Sequence, residues 1–150
     1  MPQSLANILV HVIFSTKNRA PLIELEIEDE LYPYLASICR GCKSPAHALG
    51  GTGDHVHITL TLGRTIAVAD LLEEIKRSSS KWIKTKGSQY ARFAWQNGYG
   101  AFSIGQSQLP ALKRYIANQK EHHRRRTFQE EFRDYLKRYQ VAYDERYVWD

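Results

Sequence analysis

The chain reads as an α+β protein: a ferredoxin-like or RRM-like antiparallel sheet (βαββαβ) with additional C-terminal helices. Three observations predict this. Stretches with strand and helix patterning follow one another as strand, helix, strand, strand, helix, strand, the order of split βαβ halves. The 150 residues suffice for one core, and no repeat, low-complexity tract or linker divides them, so residues 1–150 are read as one domain. Apolar residues make up 43% and charged residues 25%, the balance of a globular protein.

Asn7–Thr16 is rich in apolar and β-branched residues and predicts a buried strand, which the turn chemistry of 17–21 ends. Leu25, Leu31, Tyr34, Leu35 and Ile38 mark an amphipathic helix over 24–38, with Pro33 expected to bend or delay it. Ala46–Gly50 predicts a second strand, residues 50–54 a tight glycine loop, and Val56–Leu62 a third strand. Val68, Leu71, Leu72, Ile75, Trp82 and Ile83 give a helix over 66–86. Phe93–Trp95 and Ala101–Ile104 supply short strand material around the Gly98-Tyr99-Gly100 turn. A proline at 110 suits a helix start, and that helix carries Leu112, Tyr115, Ile116 and Gln119. Thr127 and Glu130 form a capping box that opens a last helix through about Tyr139. Tyr135, Tyr139, Tyr143 and Tyr147 recur at four-residue spacing and are assigned to packing.

The longest strongly apolar runs are too short to span a bilayer, and no signal-peptide pattern opens the chain, so a cytoplasmic protein without membrane contact is expected. The net charge of +5 and pI near 9.2 favour an anionic partner. Cys39 and Cys42 form a lone C-x-x-C; without a second pair it completes no zinc site, and two buried thiols near a helix end fit better than a redox couple.

Two short motifs carry possible chemistry. Alternation puts His55 and His57 on one strand face and turns Val56 into the core. Helical spacing puts Tyr115 and Gln119 one turn apart on one face. Two imidazoles and an amide oxygen can hold a divalent metal, and a phenol beside it is a potential nucleophile. Each motif alone also has a plain reading: polar residues on a half-exposed strand, and a core tyrosine above a solvent-facing amide. Asp54 is a candidate to support the histidines from behind.

In order and separation, the His55-Val56-His57 triplet after its glycine loop, the intervening WQNGYGAFSIG and the late Tyr115-Ile-Ala-Asn-Gln119 resemble the single-tyrosine HUH transposases. These belong to the smallest bacterial insertion sequences (the 200/605 type) and to their relatives associated with repetitive extragenic palindromes (REP). The likeness also takes in HVIFSTKNR, EHHRRRTFQEEF and YDERYVW. It implies that His55, His57 and Gln119 bind Mg2+ or Mn2+. It further implies that Tyr115 attacks single-stranded DNA bearing hairpins, leaving a 5′-phosphotyrosine and a free 3′-hydroxyl that can be rejoined. A homodimer is implied too, with Phe102–Ile104 as candidates for pairing across its axis.

Lys76, Arg77, Lys81 and Lys84 on one helix, with Arg114, Arg124 and Arg125 further on, are the candidate phosphate contacts; a solvated face is their alternative. Trp82, Trp95 and Tyr99 are candidates for stacking on bases, Trp82 equally for the core. A non-catalytic RRM-like nucleic-acid-binding module is the competing function, and a small metallohydrolase using Asp54 a third.

Overall fold

Period-two alternation sets the sheet. In a computed structural model, which describes residues 2–150, β1 (Leu9–Ser15), β2 (Ala46–Thr52), β3 (His55–Thr61) and β4 (Gly100–Ile104) pair antiparallel in the order β2-β3-β1-β4. That is the expected split βαββαβ arrangement, with β1 and β3 central. Val10, Val12 and Phe14 of β1 share a face with Val56, Ile58 and Leu60 of β3. Onto this apolar face pack α1 (Leu25–Gly41) and α2 (Val68–Ile83), which contribute Leu31, Leu35, Leu71 and Ile75 to the core. Pro33 lies inside α1 without delaying it, and the helix runs to Gly41. The lost backbone hydrogen bond is offset by the stripe of Ile27, Leu31, Leu35 and Cys39, buried at every fourth position.

The opposite face carries His11, Ile13, His55, His57 and Phe102. Left open, it would expose Ile13 and Phe102 to water. The C-terminal helices close it: α3 (Leu109–Ala117), α4 (Gln119–His122) and α5 (Phe128–Arg138). A second core forms there from Ile13, Phe102, Phe128, Phe132, Tyr135 and Leu136. The extra helices are therefore the second wall of a layer that buries histidines. The predicted capping box starts α5: Thr127 Oγ1 accepts from the Glu130 amide and Glu130 Oε1 from the Thr127 amide, both at 3.2 Å.

Gly50, His57, Ile13 and Gly100 stand side by side in one row across all four strands. A Cβ at Gly50 would lie 2.5 Å from the Ile116 carbonyl oxygen of α3, and one at Gly100 would strike the Phe132 ring of α5. The two glycines thus let both helices down onto the sheet on either side of His57.

The predicted helix through Gln119 is broken. α3 ends at Ala117 and Asn118 leaves helical geometry (φ −99°, ψ 20°) before α4 begins. Tyr135 is buried and Tyr139 packs on the second core, as assigned, whereas Tyr143 and Tyr147 are exposed. Both cysteines are free; Cys39 is buried, and burial raises its thiol pKa to about 12, so neither it nor Cys42, whose pKa is also raised by burial, is a ready nucleophile. No helix among the described residues is long and apolar enough to cross a membrane.

Candidate metal and tyrosine site

The side chains of His55 and His57 are fully buried on the face that α3–α5 cover. Behind His55, Asp54 Oδ1 sits 2.8 Å from Nδ1. A carboxylate there fixes the proton on Nδ1, so the Nε2 lone pair points inward. It meets Gln119 Oε1 at 3.0 Å and Glu131 Oε1 at 3.6 Å, two acceptors facing an acceptor. His57 Nδ1 lies 2.8 Å from His11 Nε2, and His57 Nε2 lies 2.9 Å from Glu131 Oε1. His123 Nδ1 donates to the Arg126 carbonyl at 2.7 Å, because a carbonyl only accepts. In neutral His123 this leaves Nε2 unprotonated. That atom is buried without a hydrogen-bond partner, 3.3 Å from Glu131 Oε1 at an angle that makes no hydrogen bond.

Ligand atoms of His55, His57, His123 and Glu131 all lie within 4.8 Å of one another. Metal–ligand bonds of ~2.1 Å separate neighbouring ligands by roughly 3.0–3.5 Å, and the three Nε2 atoms lie 2.9, 3.3 and 3.6 Å from Glu131 Oε1, distances of that order. The donor set fits a divalent ion, and the ring nitrogens turned away from the centre are engaged as those of metal-bound histidines are.

Tyr115 reaches the same place from α3. Its hydroxyl donates to Glu131 Oε2 and lies 3.0 Å from His122 Nε2, while Gln119 Nε2 donates to Glu131 Oε2 at 3.1 Å. Despite the break at Asn118, Tyr115 and Gln119 converge on one carboxylate oxygen.

The electrostatics follow from burial. Burial pushes His57 down to about 4 against the pull of Glu131, and lowers His11 too, with the charge of His57 adding to it. Burial also acts to raise Glu131, but the nearby His123 ring and hydrogen bonds with His57 and Tyr115 win and hold it far below the usual carboxylate range. The Tyr115 phenol is raised, first by burial and then by the Glu131 carboxylate, so it stays protonated until something draws that charge away.

Two clefts flank the cluster. One of about 610 Å³ is lined by Tyr115, His122, Glu131, Arg126 and Arg138; another of about 740 Å³ is reached past His123 and Asp54. The α2 basic residues are not brought here, because α2 lies across the sheet. Lys76 is spent inside: its ammonium donates to the carbonyls of Gln96 (2.9 Å), Asn97 (3.3 Å) and Gly98. Arg77 pairs with Glu74, and Lys81 and Lys84 are exposed on that far layer. Arg114, Arg124 and Arg125 are exposed on the site's own side of the sheet, Arg124 beside Glu121 at 3.4 Å. Trp95 is buried with its Nε1 donating to Ser79, which removes it from base stacking; Trp82 stacks on Tyr34, and Tyr99 is exposed.

Glu131, His123 and His11 were missed in the sequence reading. Glu131 had a signal: it falls between Phe128 and Phe132 on the stripe continued by Tyr135 and Leu136, where a carboxylate is out of place.

Comparison with known proteins agrees with this architecture. The sequence profile of the family described as "Transposase IS200 like" matches residues 4–119. Among solved structures, a protein from Deinococcus radiodurans R1 assigned as a transposase superposes with a TM-score of 0.62 at 21% identity, covering 79% of this chain and 98% of that one. A REP-associated tyrosine transposase bound to a REP hairpin superposes with a TM-score of 0.60 at 14% identity, covering 82% and 72% respectively. No relative was found among curated protein sequences. At those identities the two structures speak for the fold, and the profile, which spans most of the chain, speaks for the family: this protein belongs to the IS200-like transposases.

Proposed function

We propose that the protein cuts and rejoins single-stranded DNA through Tyr115, assisted by a divalent cation held by His55, His57 and Gln119. The observation that carries this reading is the convergence of a phenol hydroxyl and three inward-facing imidazoles on one buried carboxylate. A non-catalytic binding module would have no use for that cluster.

Tyr115 Oη attacks the scissile phosphorus, forming an O–P bond to the 5′ side while the P–O3′ bond breaks and O3′ takes a proton from solvent to leave as the 3′-hydroxyl. The bond energy is kept in the phosphotyrosine, so attack by another 3′-hydroxyl reverses the step without an external energy source. Two acceptors already face the phenol proton, Glu131 Oε2 and His122 Nε2. His122 is partly exposed on the 610 Å³ cleft and can pass that proton to solvent. The cation, Mg2+ or Mn2+, supplies charge neutralisation at the phosphate when bound. The strand enters by the same cleft, where the exposed Arg138 offers a guanidinium group to its backbone, while Arg126 is paired with Asp134.

Hairpin-bearing DNA is the proposed substrate, on the strength of the family and of the hairpin held by the REP-associated relative. A homodimer paired along the outer edge of β4, where Ala101 and Ser103 are exposed, is the proposed assembly. The test is a denaturing gel after incubation of wild type and Tyr115→Phe with a labelled hairpin-bearing strand and Mn2+. A covalent adduct in the wild type alone supports the proposal; no adduct in either, or an adduct in both, overturns it.

A further inference from the structure

The matched family profile ends at Gln119, yet beyond it the buried Glu131 and the half-buried His123, whose Nε2 is buried, turn toward the same centre. We infer that His123 Nε2 and Glu131 Oε1 are cation ligands alongside His55 and His57, so that one carboxylate joins the metal to the attacking tyrosine. This rests on the metal-dependent reading above and enlarges its ligand set.

The case for His123 is geometric. Its Nδ1 is committed to the Arg126 carbonyl, so in the neutral ring Nε2 has only a lone pair to offer. That atom is buried, lacks a hydrogen-bond partner and faces a carboxylate oxygen. A buried lone pair aimed at an anion is unfavourable until a proton or a metal cation lies between them, and a metal cation would satisfy all three Nε2 atoms at once. His55 repeats the pattern: Asp54 holds its Nδ1, and its Nε2 faces Gln119 Oε1 and Glu131 Oε1.

The case for Glu131 is that one oxygen is within 3.6 Å of all three Nε2 atoms while the other accepts from Tyr115 and Gln119. A cation on Oε1 draws carboxylate charge away from Oε2, weakening its hold on the phenol proton. Gln119 then has a second task, holding Oε2 in place. The carboxylate makes metal occupancy and tyrosine placement one event.

Three imidazoles and one carboxylate make a nitrogen-rich set. Hard, reluctantly dehydrated Mg2+ prefers oxygen, whereas Mn2+ and later first-row ions accept imidazole. With Gln119 as the fifth ligand, a six-coordinate ion held this way keeps one position for a phosphate oxygen.

The experiment is titration of the metal-free protein with MnCl2 or MgCl2 alone, by calorimetry, with pulsed electron paramagnetic resonance on the Mn2+ form. Mn2+ is expected to bind at least 100-fold more tightly than Mg2+. Three coordinated imidazole nitrogens are expected, falling to two in His123→Asn. Glu131→Gln and His123→Asn should each lose 10-fold or more in Mn2+ affinity while keeping a wild-type circular dichroism spectrum. Should Glu131→Gln not fold, His123→Asn and the nitrogen count still decide. Two nitrogens in the wild type, unchanged affinity in a folded variant, or preference for Mg2+ overturns the inference. No DNA is present, so this result is independent of the adduct gel: an adduct with a two-imidazole site sinks the ligand set and leaves the strand-cutting reading standing.

Discussion

His11 Nε2 lies 2.8 Å from His57 Nδ1, so the second histidine of the H-x-H pair is oriented by a third histidine from the neighbouring strand. The contact follows from register. His57 stands opposite Ile13 and His11 opposite Thr59, which makes the two histidines diagonal neighbours on one face. Their rings stack with centroids 5.0 Å apart, and His11 also meets the edge of Tyr135. His11→Phe keeps an aromatic ring, somewhat larger than imidazole, but removes the nitrogen that holds His57. Outer partners of metal-bound histidines are worth roughly 10–100-fold in affinity. Mn2+ titration of His11→Phe should show a loss in that range, and unchanged binding would mean that His57 needs no such support.

The histidines also set the response to acid. In the metal-free protein His57 is held at about 4 by burial, against an ordinary value of about 6.5. Between these values the unfolded chain takes up a proton that the folded one refuses, so stability falls as pH drops from about 6.5 to 4. The gap corresponds to about 3 kcal/mol, and His11, lowered by burial, acts in the same direction. Below the ordinary carboxylate range Glu131 adds a further loss, because its own pKa is depressed and the unfolded chain is protonated first. His123 runs the other way. Glu131 raises its pKa despite burial, so its contribution is present in acid and lost as pH rises through the raised value. Urea unfolding in chelator at several pH values should give a maximum near neutrality and a steep acid limb. His57→Asn should flatten that limb between pH 6.5 and 4; an equally steep limb in the variant would assign the loss elsewhere.

Gly50 tests whether the helix layer must sit this close. A methyl group there meets the Ile116 carbonyl oxygen at 2.5 Å, and backbone cannot turn aside as a side chain can. Overpacking of this kind costs about 1–3 kcal/mol. Gly50→Ala should lower unfolding stability by that amount and lift α3, so Tyr115 should lose its hold on Glu131 and adduct formation should fall further than stability alone explains. A variant with normal stability and activity would show that α3 rides freely over β2.

What could be read from the sequence was whatever repeats at a fixed period. His55 and His57 alternate with Val56, Ile58 and Leu60, and that alternation alone placed both imidazoles on one face and the core on the other. Tyr115 and Gln119, four apart, still reach one carboxylate although Asn118 interrupts their helix. The partners were illegible because contacts between distant elements leave no period. Glu131 is 74 residues from His57, and His123 was hidden in a run that reads as basic charge. Pro33 misled for a related reason, since the packing of α1 outweighs a local propensity. The placement of the α2 cations across the sheet from the cluster was illegible too, because charge counted along a sequence does not say which side of a sheet receives it.

Lys76 makes that last point testable. Its ammonium lies over the rings of Phe14 and Tyr99 at 5.3 and 5.6 Å and donates to the three carbonyls of 96–98, pinning the loop that leads into β4. Burial lowers its pKa to about 8, so it is still mostly protonated at neutral pH and the bonds are charge-assisted. Lys76→Met keeps the apolar stem and deletes the donors. Hydrogen bonds to a charged group contribute about 1.5–3 kcal/mol, and leaving carbonyls unpaired adds to the loss where they stay buried. The expected outcome is a clear drop in unfolding stability with little change in the salt dependence of single-strand binding. An Arg138→Ala variant should instead keep its stability, since Arg138 is exposed at the cleft beside Tyr115, and should lower the slope of log affinity against log salt by about 0.7, the share of one phosphate contact on a single strand. If the two variants exchange these behaviours, the nucleic acid runs over α2 and not past the tyrosine.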